Sequence, residues 1–160
     1  MKRIFTAVLI AGAAATFAAC HHQGGHHAES GDMHGHHGIS TPDERITLKL
    51  PHELKAMQKR MMVKHMDSLA EITAAISANE LDKAAKIAKE NLGTSEEEAV
   101  MCRKLSDKSG EAELFTLGMD THKKADELSE NAAKGDREAA LKSLAALTKS
   151  CNACHERYKH

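Results

Sequence analysis

From Leu50 onward the apolar residues recur in steps of three and four, the period of an amphipathic helix, and no stretch gives a convincing strand. The first stripe, Leu54, Met57, Met61, Met62, Met66, Leu69, Ile72 and Ile76, predicts a helix over residues 51–78. Pro51 suits its first turn and Asn79 breaks it. A second helix is predicted over 80–92, with Leu81, Ala84, Ala85, Ala88 and Leu92 inward and Gly93 as its stop. Ser95 and Glu98 form a capping box, which opens a shorter helical piece carrying Ala99, Val100, Cys102 and Leu105 and ending near Ser109 and Gly110. A longer helix over 111–134 sets Leu114, Gly118, Thr121, Ala125, Leu128 and Ala132 along one face, and Gly135 stops it. Asp136 caps the last helix, whose expected buried stripe is Leu141, Leu144, Thr148, Cys151, His155 and Tyr158. Four main helices with short connections predict an all-α fold, an antiparallel four-helix bundle over residues 50–160. In such a bundle the end of the last helix lies near the beginning of the first, so the methionines of the first helix approach Cys151, Cys154 and His155.

The residues before the helices have no such period. Residues 1–19 read as an export signal: Lys2 and Arg3 form the charged start, an apolar stretch follows, and small residues precede Cys20. The competing reading is a short transmembrane helix, but the segment is marginal in length and no basic flank follows it. Phe17-Ala18-Ala19-Cys20 resembles a bacterial lipobox, in which the cysteine becomes the lipidated first residue. Phe17 stands where Leu is usual, which leaves ordinary signal cleavage as the alternative. An anchor at Cys20 places the protein on a membrane facing the periplasm, and the absence of Asp after Cys20 favours the outer membrane of a Gram-negative bacterium. Residues 20–49 read as a flexible tether. His21, His22, His26, His27, His34, His36 and His37 are spaced by Gly, Ser and acids, so the stretch is either a weak trap for zinc, copper or nickel or a polar spacer.

Composition narrows the function classes. The whole chain of 160 residues carries a net charge of −1, and with Lys2 and Arg3 set aside the remainder is about −3, which argues against nucleic acid as a partner. Aromatic residues make up 2% of the chain. Phe5 and Phe17 lie in the leader, so Phe115 and Tyr158 alone serve the folded part. A core of Leu, Ile, Met and Ala lacks large plates, and a planar prosthetic group would supply one. No catalytic triad, paired-carboxylate site or phosphate loop is present, so no enzyme is indicated.

Cys151-Asn152-Ala153-Cys154-His155 is the C-x-x-C-H signature of c-type haem attachment. Two thiols add across the porphyrin vinyl groups, and the adjacent His coordinates the iron. A zinc site would need a second ligand pair, and a thioredoxin-like pair would need a βαβ pattern; the sequence contains neither. Export fits, because c-type attachment in bacteria occurs outside the cytoplasm.

With its haem motif in the last helix, the chain from about Leu50 to His160 resembles the class II cytochromes c, the cytochrome c prime family; Tyr158 and the basic Lys159 add to the likeness. The resemblance implies one covalent haem c near the C-terminal helix, bound by Cys151 and Cys154, with His155 as proximal ligand. One branch of the family offers the distal iron face an apolar residue and binds small gases. The other offers a methionine and carries electrons between redox partner proteins. The methionine branch tends to place core apolar residues seven and ten positions after the ligand. Met62 meets this with Leu69 and Ile72, whereas Met61 would meet Ser68 and Glu71. The resemblance therefore implies Met62 as the distal metal ligand, with His65, a turn later, as the runner-up. The His-rich tether and the scarcity of aromatics depart from the family pattern.

The leading expectation is a monohaem electron-transfer cytochrome. The alternatives are a gas-binding five-coordinate cytochrome and a metal-binding lipoprotein that uses the His-rich arm and the cluster Met57, Met61 and Met66. Otherwise those three methionines are core filler. His122 is expected at the boundary of its stripe. Cys102 is either a buried small hydrophobe or the source of an intermolecular disulfide, which would make a homodimer.

Overall fold

The computed structural model describes residues 42–160, and the leader, Cys20 and the His-rich stretch lie outside the described residues. The described unit is all-α apart from one short strand pair. Its elements are β1 (Ile46–Thr47), α1 (His52–Ser77), α2 (Leu81–Ile87), a π-helical turn (Ala88–Leu92), α3 (Glu96–Ser109), α4 (Ala112–Ala133), α5 (Arg137–Arg157) and β2 (Tyr158–Lys159).

The helix ends follow local chemistry. Asn79, at φ 60°, ends α1, and Gly110 and Gly135, at φ 78° and 73°, end the α3 and α4 stretches in the left-handed region. Ser95 Oγ accepts from the Glu98 amide at 3.1 Å, and Asp136 accepts from the Ala139 amide at 2.9 Å. The reciprocal half of the expected capping box is not made, because the Glu98 carboxylate turns to His122 instead. The expected shorter piece is the helix over 96–109, and with the four main helices it makes five α-helices.

α4 is the central element and packs on α2, the π turn, α3 and α5. Two apolar clusters result. The first contains Ile72 and Ile76 of α1, the inward face of α2, Leu128 of α4 and Leu147 of α5. The alanines Ala84, Ala85 and Ala88 are small enough for close helix approach, and all are buried as the sequence implied. Truncating one of the four fully buried large side chains, Ile72, Ile76, Leu128 or Leu147, costs about 2–5 kcal/mol. The second cluster gathers Leu48, Leu54, Leu105, Leu114 and Tyr158, with Leu50, Met57, Met101, Leu117 and Cys154 against it.

The second cluster corrects the expectation of no strand. β1 and β2 pair in parallel, Ile46 with Tyr158 and Thr47 with Lys159. The Leu48 amide adds a bond to the Lys159 carbonyl at 2.8 Å, and Asp43 binds both Arg45 and Lys159. Residues that read as tether, 42–49, thus form a strap whose Leu48 enters the core. Three further expectations fail. The buried face of α5 is Ala140, Ser143, Leu147 and Ser150, with Cys151 and Cys154 half-buried, while Leu141, Thr148 and His155 are exposed. Met66 is exposed rather than core filler, and His122 is buried rather than at a boundary.

Candidate haem-attachment site

The site is built on the last turns of α5. Ser150 Oγ donates to the Leu147 carbonyl at 2.9 Å, which satisfies a buried hydroxyl one residue before the motif. Helical spacing puts Cys151, Cys154 and His155 on consecutive turns of one side. The two thiols face different parts of the interior: Cys151 packs on the first cluster and Cys154 on the second. Both are reduced. Burial pushes both thiols above their ordinary value, and for Cys154 the neighbouring Cys151 adds to the effect. Near neutral pH they are therefore thiols, slow in disulfide exchange. His155 projects outward, and its carbonyl accepts from Arg45 Nη1 at 3.3 Å, so the strap is tied to the motif.

On α1, Met62 is half-buried and Met61 likewise. Met62 shares a helix edge with Lys55 and Lys59, seven and three residues earlier. His160 is pushed below the ordinary imidazole value by burial and then by Lys55, Lys59 and His155, so that edge runs beside the end of α5. His65 turns elsewhere. Its ring meets His122 of α4 edge to face, with centroids 6.0 Å apart. The structure thus sets the Lys55–Lys59 edge of α1 beside His160, and His65 against His122 of α4. Cys20 lies outside the described residues.

Several site residues carried weaker sequence signals. Gln58 is 7% exposed, and its Oε1 is buried without a hydrogen-bond partner among the described residues. A glutamine amid Leu54, Met57, Met61 and Met62 interrupts the apolar stripe, and that interruption is the signal that marks it. Gly118 sits inside α4, where a lone glycine points to close approach. The sulfur of Cys102 occupies that space, 2.8 Å from where a Cβ would stand. Burial, then Glu98 and Cys154, push the Cys102 thiol up to about 11. Cys102 is buried, in keeping with the small-hydrophobe reading.

The donor set fits a covalently held haem: two free thiols at i and i+3, an exposed imidazole at i+4, and a core divided at those thiols. Among the described residues no three His, Cys, Asp or Glu side chains gather to hold a metal ion, and no helix is long and apolar enough to cross a membrane. No protein-family model, no characterised protein and no solved structure matches this chain.

Proposed function

We propose that the protein is a periplasm-facing monohaem c-type cytochrome that transfers electrons and performs no bond chemistry on a substrate. The observation that carries this reading is the C-x-x-C-H motif on the final turns of α5, with its two free thiols packed against two different apolar clusters. Cys151 and Cys154 would hold the haem through thioethers, His155 would ligate the iron, and Met62 would supply the second axial ligand. The bound group supplies one-electron Fe(III)/Fe(II) exchange. The rest of the chain contributes an apolar enclosure, an antiparallel bundle of its main helices, and a surface for redox partner proteins. A lipid at Cys20 would hold it to the outer membrane, and nucleic acid has no part in the reading.

The test is maturation in a periplasm competent for c-type attachment. Wild-type protein should keep haem peroxidase stain after denaturing electrophoresis, and Cys151→Ser with Cys154→Ser should lose it. Covalent haem in the double variant, or none in the wild type, refutes the proposal.

A further inference from the structure

Among the described residues, one helix face joins exposed apolar side chains to charge of a single sign. Val63 and Met66 of α1 are 61% and 62% exposed, and α1 alone carries two of the large exposed hydrophobics. Between Glu53 and Asp67 the helix has no acid, yet it carries Lys55, Lys59, Arg60 and Lys64. Lys55 is half-buried and the other three are exposed. None of the four takes part in an ion pair among the described residues.

Helical geometry arranges these residues as a ridge. The buried stripe of α1 runs through Leu54, Gln58, Ser68 and Ile72. At about 100° per residue, Val63 stands opposite that stripe. Steps of four, four and three lead from Lys55 through Lys59 and Val63 to Met66, and Arg60 and Lys64 follow the other flank. The crest is thus apolar and the cations descend both sides. The remaining large exposed hydrophobics, Ile46, Val100 and Leu141, stand singly on other elements. Val100 lies among charges of both signs, Glu96, Arg103, Lys104 and Asp107.

The strap brings the rest of the chain to the same end of the bundle. Leu48 packs in one cluster with Leu54 of α1 and Tyr158, so the chain joins the unit beside the first turn of α1, where Lys55 begins the ridge. Cys20 precedes the strap by about 20 residues, a length that reaches at most about 70 Å. A lipid at Cys20 would therefore keep the ridge within that distance of a bilayer.

We infer that the outer face of α1 docks on an anionic phospholipid surface and so fixes which side the anchored domain turns to the membrane. The inference takes the anchor at Cys20 from the reading above and is independent of the haem. α1 is not apolar enough to cross a bilayer, so it lies along the surface. Val63 and Met66 enter the boundary between headgroups and acyl chains, while the lysine and arginine stems lie along it and carry their charges to the phosphates. A convex ridge suits a layer that deforms around it, whereas a protein partner would need a matching acidic hollow. Each cation brought to an anionic surface strengthens binding about fivefold, and a lipid with a basic patch supplies the two signals that stable attachment takes.

The test uses the mature, haem-loaded chain from His21 onward, exported behind a cleavable leader so that no lipid is added and the face acts alone. The protein is sedimented with vesicles of phosphatidylcholine, alone or mixed with phosphatidylglycerol. Binding should be confined to the mixed vesicles and should fall as salt is raised. Lys59→Gln with Arg60→Gln should weaken it about 25-fold. Val63→Ser with Met66→Ser should weaken it about tenfold. All four positions are exposed, so helical circular dichroism and haem stain should not change. Lys104→Gln with Lys108→Gln, the same loss of charge on α3, should leave binding within about twofold of wild type. An equal loss in the α3 variant, equal binding to both kinds of vesicle, or binding to neither overturns the inference. Retention on immobilised polyglutamate without binding to the mixed vesicles would give the face to an acidic protein and overturns it as well. Because the assay contains no lipidated protein, its failure leaves the anchor at Cys20 standing, and a wild type without fatty acid removes the anchor while the vesicles still decide the face.

Discussion

Gly118→Ala places a methyl group where the sulfur of Cys102 already stands. The new carbon would lie 2.8 Å from Cys102 Sγ and 3.6 Å from Cys102 Cβ. Unstrained non-bonded heavy atoms sit about 3.5–4.0 Å apart, so the overlap with sulfur is close to 1 Å. Cys102 is 7% exposed and has one side-chain torsion, with few rotamers open to it on a helix, so relief must come from parting α3 and α4. Overpacking of this kind costs about 1–3 kcal/mol, while Ala in place of Gly in a helix interior contributes about 1 kcal/mol. The single variant should therefore be about 1 kcal/mol less stable than wild type. The sign reverses in Cys102→Ala: with the sulfur gone the nearest atom is the Cβ at 3.6 Å, an ordinary contact, and only the helix term remains. In that background Gly118→Ala should stabilise by about 1 kcal/mol. Urea unfolding of the four proteins, followed by far-UV circular dichroism, closes the double-mutant cycle and should give a coupling of about 1–3 kcal/mol. An equal effect of Gly118→Ala in both backgrounds would show that the sulfur is not what excludes a side chain from position 118.

Burial works against the Asp126 carboxylate, but Lys89 and Thr94 outweigh it and hold the group below its ordinary 3.8. A carboxyl depressed on folding contributes stability above its unfolded value and loses it as pH falls through the folded one, so stability should decline below about pH 4. Asp126→Asn should be less stable at pH 7 and show a flatter acid limb in equilibrium unfolding; an unchanged limb would discount the Lys89–Thr94 contacts. Met62→Ala in haem-loaded protein should give a high-spin optical spectrum and faster carbon monoxide binding, and His65→Ala should not. The opposite pattern would make His65 the axial ligand. Wild-type protein should incorporate labelled fatty acid and Cys20→Ser should not, whereas an unlabelled soluble wild type would indicate ordinary signal cleavage.

What was legible in the sequence was what is decided locally. Asn79, Gly110 and Gly135 punctuate the helices by backbone preference, Ser95 and Asp136 cap them with their own side chains, and the alanine face of α2 follows from its period alone. What was not legible depends on partners far along the chain. The strap has too few residues to show a strand period, and Leu48 is buried only because Tyr158 and Leu105 are there to receive it. The sequence AKENL reads as ordinary helix, and nothing in it announces a π turn. In α5 the inward positions Ser143 and Ser150 carry no apolar signal, so the apparent stripe runs through Leu141 and Thr148, one residue off, and turns His155 inward with them. His122 read as a boundary residue because its two partners, Leu92 and Glu98, belong to other elements. The cysteines of the motif are marked by their chemistry rather than by periodicity, and their half-buried placement does not depend on the stripe.

The strap that joins β1 to β2 has a kinetic consequence. Asp43 and Lys159 are separated by 116 residues, and bringing such distant segments together in an open chain costs about 4 kcal/mol of closure entropy. A two-residue ladder and one buried leucine cannot initiate folding against that cost, so the strap closes after the helices have formed and opens before they part. Hydrogen exchange at the Leu48 amide should accordingly be faster than at amides in the middle of α4. Each opening frees Tyr158 and unties Arg45 from the His155 carbonyl while the cluster around Leu128 and Leu147 stays intact. The thiol of Cys154 would thereby be bared, at a fraction of the cost of global unfolding, for the haem attachment proposed above.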